Sequence, residues 1–272
     1  PVNSIVVANP LAAMTEAMRY LLTSKETGSG IDPTARIHQS ALLGKDIFIG
    51  AHTVIGERVQ LADGVYIGSN TVIESDVHIG ASSQIDNGVM IHSGSRLGRN
   101  VIVNAGSIIG ALPFNYLKHH GVWQQGPAVG GVIIANGVHI GANTVIDRGS
   151  LSDTYLAEGV CIDNLVQIAH DVIIGSNTAV AGCAAIGAYV QIGSDCIIGG
   201  ASCIAAGVQL SEDVVITGMS TVSKSIVKPG IYSSGTLVHE HERWRRNAAR
   251  FRRLDDYMAK LGMLEKKINA IS

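Results

Sequence analysis

Every sixth residue from Ile31 to Ile109 is Ile, Leu or Val, fourteen positions without an exception. The same phase resumes at Ile134, Ile140 and Ile146 and then holds twelve more times, from Leu156 to Val222. A period of six fits neither the alternation of a free strand nor the 3.6 of a helix. It requires a short strand and a turn, with one large aliphatic pointing inward each time. Three such units close one triangular coil, and stacked coils pair strand on strand in parallel, about 4.8 Å apart. The expected fold is all-β: a left-handed parallel β-helix of about ten coils, roughly 45 to 50 Å long, with a C-terminal α-helical extension.

Small residues keep the same register. Gly follows the aliphatic at Gly44, Gly50, Gly56, Gly68, Gly80, Gly98, Gly141, Gly175, Gly193 and Gly199, which suits turns that need positive φ or close approach of backbones. The fourth place after the aliphatic is small or β-branched, as at Thr53, Thr71, Ser83, Thr144 and Thr178.

Composition removes several function classes. No apolar run approaches the roughly 18 residues of a membrane span, and the first residues lack a signal-peptide pattern, so the cytoplasm is the expected location. A net charge of -2 gives no case for nucleic-acid binding. Cys161, Cys183, Cys196 and Cys203 show no CxxC spacing and are expected to be reduced and buried rather than metal-bound or bridged. His38 and His92 share a column, yet three coils separate them, about 14 Å, so no metal centre is expected.

Three segments leave the register. Residues 1–30 precede the first repeat, and Asn9-Pro10 followed by Leu11, Met14, Met18, Leu21 and Leu22 predicts a capped amphipathic helix and a Thr-Ser-Gly linker. The β-helix is expected over 31–232, with a loop excursion at 110–131 that gathers Phe114, Tyr116, His119, His120 and Trp123 in a chain only 4% aromatic. That loop either packs on a coil or walls a substrate groove, where Phe114 and Tyr116 would touch substrate. A smaller excursion runs from Asp147-Arg148-Gly149 to Asp153. Residues 233–272 change character: Trp244, Ala248, Phe251, Leu254, Met258, Leu261, Leu264 and Ile268 keep helical spacing beside Arg243, Arg245, Arg246, Arg250, Arg252 and Arg253. Those arginines form a solvated face or a docking surface for an acidic partner.

A β-helix filled by its own aliphatics has no internal pocket, so chemistry must sit outside, most simply in a groove between subunits. His170 falls two places after Ile168, on a corner, with Asp163, Asn164 and Gln167 near it in sequence. These are polar groups able to orient an imidazole or to bind sugar hydroxyls and amides. A corner histidine with no chemical role fits the same pattern.

Several non-repeat motifs go further. Gln167-Ile168-Ala169-His170, the upstream Ile140-Gly141-Ala142-Asn143-Thr144-Val145-Ile146-Asp147-Arg148-Gly149, and the downstream Thr217-Gly218-Met219-Ser220, Tyr232-Ser233-Ser234-Gly235 and Trp244-Arg245-Arg246-Asn247-Ala248-Ala249-Arg250-Phe251 occur in that order. Together, over about residues 9 to 265, they resemble the UDP-3-O-(3-hydroxyacyl)glucosamine N-acyltransferases of lipid A biosynthesis. The resemblance implies a homotrimer with active sites between subunits and an acyl carrier protein bearing an (R)-3-hydroxyacyl thioester on phosphopantetheine. It also implies a UDP-sugar whose 2-amino group is acylated, with no other cofactor and no metal. It makes His170 the general base, Asp163 the residue that orients it, and the backbone N–H of Ala188, one coil along, the oxyanion donor. Asn164 and Gln167 become sugar or pantetheine contacts, and the arginine helix becomes the dock for the acidic carrier.

The family pattern is not complete here. Its N-terminal uridine-binding domain is represented only by the helix before residue 30, Ala206-Gly207 stands where a second histidine is usual, and Gly-x-Asp-Gly-Phe is replaced by Gly110-Ala111-Leu112-Pro113-Phe114. The residues by themselves leave open a CoA-dependent acetyltransferase acting on an amino sugar, and a non-catalytic trimeric scaffold.

Overall fold

The structure, a computed structural model, describes residues 5–21, 29–235 and 238–270. The repeat aliphatics form three parallel sheets of eleven, ten and nine strands, most of them two residues long. The fold is a left-handed parallel β-helix, built of the strand-and-turn units that the period of six requires. Each strand pairs with the equivalent strand of the next coil: Ile49 faces Ile67 in the first sheet, Ile55 faces Ile73 in the second, and Leu61 faces Ile79 in the third. Register survives both interruptions, with Leu97 opposite Ile134 and Ile109 opposite Ile146. An additional strand, Gly230–Tyr232, extends the first sheet to eleven.

The inward column is the core. Ile49, Ile67, Ile85, Ile109, Ile140, Ile146, Leu156 and Ile174 are fully buried. Ile31 remains 49% exposed, because the first coil has no coil beneath it.

Two kinds of small residue divide the corner between them. The third residue after most of the aliphatics takes positive φ, as at Asn70 (φ 57°), Asn143 (φ 54°) and Gly64 (φ 68°), which turns the chain into the next sheet. Glycine directly after the aliphatic serves close approach instead: a Cβ on Gly50 would lie 2.7 Å from the Ser69 nitrogen of the next coil. The buried hydroxyls at the fourth place tie coils together, Thr53 Oγ1 donating to the Gly68 carbonyl at 2.7 Å and Thr178 Oγ1 to that of Gly193 at 2.8 Å.

Outside the coils, helix α1 spans Pro10–Leu21, with Asn9 Oδ1 accepting from the Ala12 N–H at 3.1 Å as a capping residue does. Leu22 and the expected Thr-Ser-Gly linker lie outside the described residues. The chain divides into two compact units between Ser234 and Gly235. In the second, the expected single helix is two: α2 (His241–Phe251) and α3 (Leu254–Asn269), broken where Arg253 leaves helical geometry (φ −109°, ψ 16°). Among the described residues no helix is long and apolar enough to cross a membrane.

The cysteines depart from expectation. Cys196 is buried, but Cys161, Cys183 and Cys203 are exposed. Cys161 and Cys203 precede their aliphatics and so occupy the outward place of a two-residue strand, while Cys183 sits on a turn.

Candidate active site

The interruptions of the repeat all fall on one corner, between the second and third sheets. The long excursion leaves after Ile109 and returns at Val132; one coil on, the short one leaves after Ile146 and returns at Thr154. The next coil carries Ala169-His170-Asp171 at that corner, and the one after carries Gly187-Ala188-Tyr189. The excursions are stitched to each other. Arg148 Nε donates to the Gly130 carbonyl at 2.8 Å, the Gly131 N–H donates to Asp153 Oδ1 at 2.6 Å, and the Val129 N–H donates to the Ser150 carbonyl at 3.0 Å.

His170 lies under this cover and is only 5% exposed. Its Nδ1 is 2.7 Å from Oδ2 of Asp171, the next residue in the chain. Asp171 has φ 57°, and this left-handed turn folds its carboxylate back toward its neighbour. The carboxylate also receives the Ser150 N–H at 2.8 Å, the Ser150 hydroxyl at 2.5 Å, the Leu151 N–H at 3.2 Å and the Ser152 N–H at 2.8 Å. Burial alone would raise the Asp171 carboxyl, but the hydrogen bonds from Ser150, Ser152 and His170 outweigh it and hold it well below the usual carboxylate range.

An ionised Asp171 can only accept. His170 Nδ1 must therefore carry the proton, and in the neutral imidazole Nε2 is the free lone pair. Nε2 has no partner among the described residues, and no unpartnered side-chain nitrogen or oxygen there is sealed from solvent. Tyr189 sets the ring's attitude, its ring edge-on to His170 with centroids 4.9 Å apart and its hydroxyl 3.2 Å from Ser150 Oγ. One coil above His170, the N–H of Ala188 meets no acceptor among the described residues, whereas the Tyr189 N–H is taken by the His170 carbonyl. The corner thus presents a base, an orienting carboxylate and an unused backbone donor.

Known proteins resemble the chain in sequence and in fold. The UDP-3-O-acylglucosamine N-acyltransferase of Coxiella burnetii (strain Dugway 5J108-111) is 38% identical over 98% of this chain and 79% of its own length. The chain belongs to the UDP-3-O-acylglucosamine N-acyltransferase family. The Pseudomonas syringae pv. tomato member is 35% identical over 99% of the chain and 77% of its own length. Residues 27–112 match the family described as GMPPB C-terminal domain, and residues 189–218 match the hexapeptide repeat of succinyl-transferase. Among solved structures, an Arabidopsis UDP-N-acetylglucosamine acyltransferase superposes with a TM-score of 0.68 at 22% identity, over 80% of this chain and 77% of that one. A Francisella novicida UDP-N-acetylglucosamine acyltransferase gives 0.61 at 21% identity, over 75% and 67%. These two likenesses concern the fold.

As a member of the N-acyltransferase family the chain is an enzyme, and in its structure the carboxylate at His170 is that of Asp171. Within one chain Asp163 does not meet His170. It follows Ile162 on the corner between the first and second sheets, and its carboxylate is taken by the N–H groups of Asn164 at 2.8 Å and Gly182 at 3.0 Å. Asn164 shares that other corner, with Oδ1 accepting from the Ala142 N–H at 2.7 Å as a tie between coils. Gln167 reaches the site through Asp147, donating from Nε2 to Oδ1 at 3.1 Å.

Asp171, Ser150 and Tyr189 were not singled out by sequence reasoning. Asp171 and Tyr189 occupy corner places in consecutive coils, a signal available once His170 is placed in the register. Phe114 and Tyr116 stand on the long excursion, 84% and 42% exposed, with ring centroids 5.1 Å apart beside an antiparallel hairpin of Tyr116–His119 and Val122–Gln125. Of the six arginines, Arg245 and Arg253 lie 4.0 and 3.5 Å from Glu242 and Asp256, while Arg243, Arg246, Arg250 and Arg252 meet no carboxylate among the described residues.

Proposed function

We propose that the chain transfers an (R)-3-hydroxyacyl group from acyl carrier protein to the 2-amino group of a UDP-3-O-acyl-glucosamine, with His170 as general base. The observation that carries this reading is the His170–Asp171 pair at 2.7 Å, which leaves Nε2 as the unshared base on the corner where every excursion converges. The amine nitrogen attacks the thioester carbonyl carbon and a C–N bond forms while His170 Nε2 takes the departing proton. Asp171 holds the resulting imidazolium, and the Ala188 N–H faces the oxyanion. The C–S bond then breaks, and the imidazolium returns its proton to the thiolate.

Other features support the same reading. The outward places of the second sheet, Val54, Val72, Met90, Ile108 and Val145, form an apolar strip suited to a homotrimer. Phe114 and Tyr116 would then wall the groove between subunits, and the unpaired arginines of α2 would dock the acidic carrier. No further cofactor enters this chemistry, and its donor places it in the cytoplasm.

The test is turnover of the purified protein with 3-hydroxyacyl carrier protein or acetyl-CoA as donor and UDP-3-O-acyl-glucosamine as acceptor, the product identified by mass. N-acylated sugar from the carrier-bound donor is the expected result. Turnover with acetyl-CoA alone would transfer the assignment to a CoA-dependent acetyltransferase, and no turnover with either donor would leave a scaffold.

A further inference from the structure

Asp147 has no part in the dyad, yet it opens the short excursion one coil below His170. Its neighbours Val145 and Ile146 pair with Gln167 and Ile168, so Asp147 lies opposite Ala169, beside the imidazole. The residue is 7% exposed. Oδ1 is held by Gln167 Nε2 at 3.1 Å, and the other oxygen has no partner among the described residues. That oxygen is not sealed from solvent. Among the described residues no lysine or arginine pairs with it: the adjacent Arg148 sends its Nε to the Gly130 carbonyl instead. Carboxylates this deeply placed are normally paired, and an unpaired one beside a catalytic base has the chemistry of a receptor for a cation.

Resting on the function proposed above, we infer that Asp147 is the carboxylate that receives the ammonium form of the acceptor amine and selects amino over hydroxyl or acetamido acceptors. The amine reaches the site largely as R–NH3+, which must lose one proton before it can attack and a second as the C–N bond forms. Asp147 takes the first, becoming a neutral carboxylic acid, and His170 Nε2 takes the second. Asp147 then returns its proton to water through its open oxygen. Burial pushes the Asp147 carboxyl up to about 6, against the lowering effects of the Gln167 hydrogen bond and the His170 charge, which brings it nearer to an amine in proton affinity.

The experiment compares the full chain with Asp147→Asn, which keeps shape and an oxygen for Gln167 but loses the charge. Binding of UDP-3-O-acyl-glucosamine and of its N-acetylated counterpart is measured alongside kcat and KM for the amine. The expected result is about a 10- to 100-fold rise in KM for the amine, the span a charged hydrogen bond gives, with affinity for the acetamido sugar unchanged. Unchanged amine KM and unchanged preference for amine over acetamide would overturn the assignment. An equal loss for both sugars would also overturn it, as would an Asp147→Asn melting temperature well below that of the parent chain. A parent chain that fails to acylate the amino sugar at all removes the proposed function itself, whereas an active parent with an indistinguishable Asp147→Asn removes only this inference.

Discussion

His170 and Asp171 are neighbours in the chain, and their side chains nevertheless meet, Nδ1 to Oδ2 at 2.7 Å. The contact depends on the left-handed backbone at Asp171, φ 57°, a geometry that most corners of the coils share. Asp171→Asn puts an amide where an obligate acceptor stood. An amide that donates to Nδ1 moves the imidazole proton to Nε2, and the base is lost. The expected outcome is a kcat lower by about 10^2- to 10^4-fold with a much smaller change in KM, measured by steady-state acyl transfer.

The same residue makes stability depend on pH. The folded Asp171 carboxyl is held below its ordinary value, so its contribution is fully present above about pH 4, the unfolded carboxylate range, and is lost as pH falls below that. Thermal unfolding of the parent chain and of Asp171→Asn should therefore differ at pH 7 and converge on acidification below about pH 4.

Asp147 has the opposite sign. Its folded carboxyl is raised to about 6, so ionising it in the folded state costs stability that is absent below about pH 4 and grows to its full value as pH rises past 6. Asp147→Asn should be the more stable protein at pH 8, by up to about 2 kcal/mol, and equal to the parent near pH 4. Denaturant midpoints at the two pH values check this.

Tyr189 divides ring from hydroxyl. Tyr189→Phe keeps the edge-on contact with His170 and loses only the 3.2 Å contact to Ser150, so kcat should fall by less than about 3-fold. Tyr189→Ala removes the wall over the imidazole, and kcat should fall by at least about 10-fold. Equal effects from both would contradict a role for the ring.

Corner geometry gives a pair of stability predictions. Gly50→Ala drives a Cβ to 2.7 Å from the Ser69 nitrogen, so the coils must separate and stability should fall by about 1–3 kcal/mol. Leu165 holds φ 59° while 59% exposed, with strain that glycine lacks, so Leu165→Gly should stabilise by about 0.5–1 kcal/mol. Opposite shifts of the melting temperature are the readout.

The coils were legible because one aliphatic per strand has one place to go: Ile49, Ile140 and Leu156 could be set inward by counting alone. Helix α1 was legible from Asn9-Pro10, whose cap the structure contains. The site was legible in its base but not in its partner. Counting from Ile168 puts His170 on a corner, but the sharing of its proton with Asp171 depends on a backbone dihedral and on the loop of Ser150 to Ser152, brought in from the previous coil. Asp163 misled because it is close in sequence, while six residues in this fold carry the chain to a different corner. Cys161 and Cys203 misled through ordinary residue preference, since a two-residue strand has one inward place and the aliphatic takes it.

The central claim is that Nε2 of His170 removes the proton of the attacking amine, and His170→Ala in single-turnover acyl transfer from 3-hydroxyacyl carrier protein tests it most directly. The account predicts a rate lower by at least about 10^2-fold, with carrier-protein and sugar binding retained and the melting temperature close to that of the parent. A His170→Ala protein that folds, binds both substrates and transfers the acyl group at the parent rate would contradict it.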